Sequence, residues 1–331
     1  MILIAPDKFK GHHTAAQVCD IVARKLRHAG YSGQIVCRPL SDGGEGAADL
    51  LMPDRICGDT PGIYFSPDRS RCLAVSSEIV GFDAFKGSEI PLMRRSSIAL
   101  GHAIPQGIPV TIAIGGTAIS DGGAGFLQGL GATFYDHTGQ IINRPLCPDT
   151  LHTIARAEFH TRHLYNISGV VDVHATLTPT LSFKSGAQLS AIDFAPQKAL
   201  PGEDISGLAN ALKHFQSIFG GKSPWDGAGG GLGYAIASVL GAACSSGAEA
   251  AVKTIAYDIN RYSLIITGEG RVDNQTRHGG KLVDEVYRIA SANQIHTLVL
   301  YGDHSSADYL YPWMAQIDSD WIPRISRLLN L

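Results

Sequence analysis

Strand-and-helix alternation at both ends of the chain predicts an α/β protein built on parallel sheet, with a second α/β domain inserted in the middle. Three observations carry this. Short apolar runs alternate with helical periods over residues 2–51 and again over 263–300, the pattern of parallel strands with helices on the sheet faces. The middle keeps strands and helices, but in a less regular order. Glycine is abundant, 38 of 331 residues, and it clusters in loops, where it marks tight turns or close backbone approach.

Taken in order, Ile2 to Ala5 reads as a short buried strand. Thr14 to Ala29 carries apolar residues at Ala15, Val18, Ile21, Val22, Leu26 and Ala29, a helical spacing, with Thr14 as N-cap and Gly30 as C-cap. Gln34 to Cys37 is the next strand and Glu45 to Leu51 the next helix start. In the middle, Leu73 to Val80 reads as a strand, Ser96 to Ala103 as a helix and Val110 to Ile114 as a buried strand. Phe126 to Leu130 is helical, Thr133 to Tyr135 and Gly139 to Ile142 form a hairpin, and Val170 to Val173 is a strand. Ile205 to Phe219 has helical period, and Gly233 to Leu240 is a helix opening from a glycine-rich loop. Towards the C-terminus, Ser263 to Thr267 and Thr297 to Leu300 are strands flanking a helix from Lys281 to Ala292.

Composition excludes several classes. Hydrophobic residues make up 44% and charged residues 17%, which disfavours disorder. A net charge of −3 supplies no basic field for nucleic acid or an anionic membrane, so neither is an expected partner. The six cysteines, Cys19, Cys37, Cys57, Cys72, Cys147 and Cys244, form no C-x-x-C pair, and reduced thiols are expected. The apolar start, Met1 to Ala5, is too short for a signal sequence, and no run is long enough to span a membrane. A cytoplasmic protein is expected. The sequence leaves a homodimer open.

Four loops join glycine to acid: Asp42-Gly43-Gly44-Glu45, Gly115-Gly116-Thr117 running to Asp121-Gly122-Gly123, Asp226-Gly227 running through Gly229-Gly230-Gly231, and Gly268-Glu269-Gly270-Arg271. Phosphoryl transfer calls for these residue types. Bare glycine lets N–H groups approach phosphate oxygens. Carboxylates hold Mg²⁺ or orient the attacking hydroxyl, and Lys or Arg stabilises the transferring group. Near the N-terminus, Asp7, Lys8 and Lys10 follow the first strand and suit an anionic ligand. Standard phosphate motifs fail: Gly220-Gly221-Lys222-Ser223 lacks the leading glycine of a Walker A loop, where Gln216 stands, and no G-x-G-x-x-G occurs.

Six stretches together resemble the bacterial glycerate kinase type 1 family: Ala5 to Gly11, Pro39 to Gly46, Gly115 to Gly125, Phe194 to Lys198, Gly227 to Gly233 and Ile266 to Thr276. They occur in the family's order and span nearly the whole chain. The resemblance implies a Rossmann-like parallel-sheet domain from residues 1–72 plus 258–331, an inserted α/β domain over 73–257, and an active site in the cleft between them. It implies ATP and Mg²⁺ as cofactors, D-glycerate as substrate and phosphoglycerate as product. The residues expected to carry this are Asp42, Asp121, Asp172 and Lys10 as catalytic groups. Lys8, Gly43, Gly44, Glu45, Gly115, Gly116, Thr117, Gly229, Gly230, Gly231, Glu269 and Arg271 would bind substrate or phosphate, with Asp42, Glu45 and Asp121 at Mg²⁺. Departures from the family pattern are Lys8 in place of Ser, Ser96 to Gly101 in place of a glycine-threonine loop, and His174 in place of a second acid after Asp172. They point, as alternatives, to another small hydroxy acid or to a catalytically impaired small-molecule-binding homologue.

Overall fold

The computed structural model describes residues 1–9, 12–44, 46–159, 166–179, 189–272, 281–302 and 311–329. In chain order its strands are β1 (Ile2–Ile4), β2 (Ile35–Cys37), β3 (Ile56–Cys57), β4 (Ile63–Phe65), β5 (Cys72–Val75), β6 (Pro109–Ile114) and β7 (Ala132–Asp136). They continue with β8 (Ile154–Phe159), β9 (Asn166–Val171), β10 (Cys244–Ser246), β11 (Leu264–Glu269), β12 (His296–Tyr301) and β13 (Met314–Gln316). The chain divides into two compact units, residues 1–42 with 247–331, and residues 43–246. Residues 43–72 and 247–257, assigned to the other domain from the sequence, fall in the opposite units.

The first unit is a parallel sheet in the order β13-β12-β11-β1-β2. β1 lies inside it, buried at all three residues, as a continuous apolar strand covered on both faces should be. The helix Ala15–His28 packs through Val18, Cys19, Val22 and Leu26. It begins at a capping box in which the Thr14 hydroxyl accepts from the Gln17 N–H and the Gln17 side chain accepts from the Thr14 N–H, two orphan donors satisfied reciprocally. Chain order reverses direction between β1 and β11: β2 lies on one side of β1, and β11, β12 and β13 follow on the other. Such a switch point leaves a crevice at the carboxyl ends of the two strands, where ligands gather in open α/β sheets.

The second unit has a sheet in the order β10-β9-β6-β5-β4-β3, parallel from β10 to β5 and antiparallel at its β4 and β3 edge. Leu92, Leu100, Ile112, Ile114, Phe126, Leu212, Phe215 and Tyr234 are among the buried residues of its core.

Several elements differ from the sequence reading. The expected strand 73–80 ends at Val75, and Ser76–Val80 is a short helix. Ser76, Ser77 and Glu78 interrupt the apolar run where the strand ends, and an acid in the first turn suits a helix start. The turn at Asp136 to Gly139 exists, with the Ile142 N–H donating to Phe134 at 2.8 Å, but β7 pairs along its length with β8, eighteen or more residues on. The segment Tyr234–Val239 is a π-helix. Strands β3, β4, β8, β10 and β13 and the helices Gly247–Ala256 and Ile322–Leu329 were not read from the sequence. No helix among the described residues is long and apolar enough to cross a membrane.

Candidate active site

In the first unit, the chain leaving β1 stays clamped between its neighbours. The Ala5 N–H donates to Ile266 at 2.8 Å, the Asp7 N–H to Gly268 at 2.9 Å, and the Leu40 N–H to Pro6 at 3.0 Å. The Thr267 hydroxyl donates to the Ala5 carbonyl at 2.8 Å. Asp7 is thereby carried to the carboxyl end of the switch point, beside the end of β11. The Lys8 Nζ lies 3.8 Å from Asp7 Oδ1 and 3.5 Å from Asp42 Oδ1, and the Lys8 N–H donates to Asp7 Oδ1 at 2.7 Å. Lys281 Nζ is 3.8 Å from Glu269 Oε2. Burial pushes the Asp7 carboxyl up to about 8; Lys8 opposes the rise, and the charges of Asp42 and Glu269 add to it. Of the expected set, Lys8, Asp42 and Glu269 are thus brought to one strand-end cluster. Arg271 follows β11 as an exposed residue. Lys10 and Glu45 lie outside the described residues.

In the second unit, Gly115 follows β6 and Asp172 follows β9. The Asp172 N–H donates to the Ile114 carbonyl at 3.1 Å, continuing the ladder between the two strands. Gly115 permits a close approach there: a Cβ at this position would stand 2.6 Å from Asp172 Oδ2 and 2.9 Å from Gly44 Cα. Gly44, Gly115 and Asp172 therefore form a cradle at one carboxylate, while the neighbouring Gly43 stands against Val170 of β9. The loop after Gly115 packs on the loop 227–233. The Gly122 N–H donates to the Gly230 carbonyl at 3.0 Å, and a Cβ on Gly231 would sit 2.3 Å from Gly122 Cα. Three of the four glycine loops contribute to this one region, and Gly116, Thr117, Gly229, Gly230 and Gly231 lie in it. The fourth loop, at Gly268 and Glu269, belongs to the first unit.

Asp121 has a different situation from the one expected. It has no exposed surface. Its Oδ2 accepts from the Ser97 N–H and the Ser97 hydroxyl, each at 2.7 Å, and from the Gly125 N–H at 3.2 Å; its Oδ1 accepts from the Gly123 N–H at 3.0 Å. Burial raises its carboxyl above the usual range, and the bonds from Ser97, Gly123 and Gly125 oppose this. A carboxylate so engaged ties the 96–98 turn to the start of the helix Ala124–Gly129 and offers no face to Mg²⁺ or substrate. Asp226 does similar work in the third loop, accepting from the Ser223 N–H at 2.8 Å and the Ser238 hydroxyl at 2.7 Å.

His174, two residues beyond Asp172, stands edge-on to Trp225 with ring centroids 4.4 Å apart. Three further residues at these loops lay outside the expected set. Asp7 was visible as a strand-end acid but not distinguished from its neighbours. Lys198, the last residue of the Phe194 to Lys198 stretch, is 7% exposed and bonds the Thr117 hydroxyl. Arg95 is 5% exposed and bonds the Ala118 and Lys198 carbonyls.

Among the described residues no group of three or more His, Cys, Asp or Glu is placed to hold one metal ion. Asp42, in the strand-end cluster, is the type of oxygen donor that would hold magnesium together with substrate phosphates.

The family model described as "Glycerate kinase family" matches residues 2–314. A glycerate 2-kinase of Escherichia coli K12 is 30% identical over 315 residues, covering 84% of this chain and 79% of the relative. A glycerate kinase of Neisseria meningitidis serogroup B is 29% identical over 306 residues, with the same coverage of 84% and 79%. The crystal structure described as glycerate kinase 2 from Salmonella typhimurium LT2 superposes with a TM-score of 0.66 at 25% identity, covering 99% of this chain and 93% of that one. The chain belongs to the glycerate kinase family.

Proposed function

We propose that the protein transfers the γ-phosphoryl group of ATP to a hydroxyl of D-glycerate in one direct, in-line step. The observation that carries this reading is the close approach of Gly115 to Gly44 and to the Asp172 carboxylate: glycine backbone of the kind that suits phosphate, beside an acid able to orient a hydroxyl. Family membership supports the same chemistry. There is little covalent work for a protein to do in such a transfer, so positioning and electrostatics dominate.

In this reading Asp172 orients the attacking hydroxyl and takes its proton. Gly43, Gly44, Gly115, Gly116, Thr117 and Gly229 to Gly231 line the phosphate and substrate region. Lys8, Lys10 and Arg271 meet the carboxylate and phosphate charges, with Asp42 and Glu269 setting the field around Lys8. Asp42 and Glu45 would hold Mg²⁺, which when bound neutralises charge on the phosphates. Asp121 is assigned a positioning role in the glycine loop. The 2-hydroxyl is the proposed acceptor, in keeping with the name of the Escherichia coli relative.

The test is ADP release with ATP, Mg²⁺ and a panel of small hydroxy acids, followed by ³¹P NMR of the product. D-glycerate is expected to be the best acceptor, with 2-phosphoglycerate formed. Stronger turnover of a different hydroxy acid would move the substrate assignment. ATP binding with no turnover of any acceptor would leave a binding protein.

A further inference from the structure

One hydroxyl in the loop after β6 is fixed in its hydrogen-bonding sense by a buried cation. Lys198 Nζ donates to the Ile119 carbonyl at 2.8 Å and to Thr117 Oγ1 at 3.3 Å. An ammonium has three donors and no acceptor, so Thr117 Oγ1 must be the accepting partner. Its own O–H proton is then directed elsewhere, and among the described residues no oxygen receives it. Thr117 is 2% exposed and directly follows half-buried Gly116, so the donor sits just beneath the surface of the glycine loop.

The lysine is itself held in place. Arg95 donates to the Lys198 carbonyl at 2.9 Å, to the Ala118 carbonyl at 3.2 Å and to the Ile90 carbonyl at 2.9 Å. Burying an ammonium carries a large desolvation penalty, and a neutral donor would hold the Ile119 carbonyl with a smaller one. What the cation adds is a fixed donor sense at Thr117 and positive potential behind it. Both favour an anionic oxygen.

We infer that Lys198 is a positioning residue that sets the Thr117 hydroxyl to donate to an anionic oxygen, of a phosphoryl group or a carboxylate, bound at Gly115 to Thr117. The inference rests on the phosphotransfer reading above and names the group that reads the anion within it.

The experiment is steady-state ADP release by wild type, Thr117→Val, Thr117→Ser, Lys198→Met and the double variant Thr117→Val with Lys198→Met, varying ATP and D-glycerate in turn. Loss of one preorganised donor lowers kcat/KM by about 10²-fold, and Thr117→Val is expected to do so. A KM effect confined to ATP identifies a phosphoryl oxygen as the acceptor; one confined to D-glycerate identifies its carboxylate. Thr117→Ser, which keeps the donor, recovers most of the loss. Lys198→Met falls by a similar factor, and the double variant falls no further than the worse single one, because the lysine acts through the threonine. Thr117→Val within about twofold of wild type, or losses that add in the double variant, would overturn the inference. Should Lys198→Met fail to fold, the Val and Ser pair at Thr117 decides. A wild-type protein that turns over no acceptor strikes the phosphotransfer reading alone. Calorimetric titration of wild type and Thr117→Val with ATP and with D-glycerate then decides, equal affinity for both ligands overturning the inference.

Discussion

Asp121 Oδ2 accepts from both the main-chain N–H and the hydroxyl of Ser97, each at 2.7 Å. The same carboxylate takes the N–H groups of Gly123 and Gly125. One buried acid therefore fixes a turn, a glycine loop and a helix start, and the cradle around Asp172 depends on that loop keeping its path.

Replacing Asp121 by Asn leaves one acceptor oxygen for four donors. Hydrogen bonds to a charged group contribute about 1.5–3 kcal/mol each, and buried orphan donors are penalised further. Urea denaturation should show Asp121→Asn less stable by at least about 2 kcal/mol, with activity falling as the loop loosens. Unchanged stability combined with a 10²-fold fall in kcat would place this acid in the chemistry after all.

Asp7 gives a pH signature. Its carboxyl stands at about 8 in the folded protein against an ordinary 3.8, so the folded state keeps a proton that the unfolded state releases. This group's contribution to stability is full below about pH 3.8 and is lost as pH rises through about 8. Asp7→Asn removes the buried charge. Its Tm should exceed that of wild type at pH 8, and the gap should close towards pH 4, while turnover drops. A Tm difference independent of pH would show that burial is not what holds the proton.

Gly115→Ala probes the cradle. The new Cβ would meet Asp172 Oδ2 at 2.6 Å and Gly44 Cα at 2.9 Å, and something must move. A displacement of about 1 Å near reacting groups is enough to lower kcat/KM by about 10²-fold. Circular dichroism should show the fold retained. Wild-type kcat/KM in this variant would mean that the carboxylate and the two glycine loops do not work together.

Asp172→Asn keeps size and removes the proton acceptor. If the carboxylate takes the hydroxyl proton, kcat should fall by about 10²–10⁴-fold, with KM for ATP little changed. A change in KM for ATP alone would assign Asp172 to nucleotide binding.

Much of this was readable beforehand. The helical period ending at Leu26 and the capping residue Thr14 gave the first helix, because amphipathic spacing and caps are local properties. Of the four glycine–acid loops, those at Gly115 and Gly268 stand at the ends of β6 and β11, whereas the loop at Gly227 follows the helix Leu208–Phe219. The pairing of β7 with β8 was not readable, since strand partners separated by eighteen or more residues leave no local trace. The engagement of Asp121 was not readable for the same reason: Ser97, which occupies its carboxylate, lies 24 residues upstream. Lys198 showed in the sequence as the end of the Phe194 to Lys198 stretch, with no local sign of its contact with Thr117, 81 residues upstream.

The sequence by itself determined the α/β class, the family and the loops rich in glycine and acid, because residue type and short-range spacing dictate turns, caps and apolar faces. Only the tertiary structure decided which acids are left to meet a ligand and which are consumed in holding loops. That division depends on burial and on hydrogen-bond partners distant in sequence. A carboxylate surrounded by N–H donors and one set beside bare backbone look alike until the chain is folded.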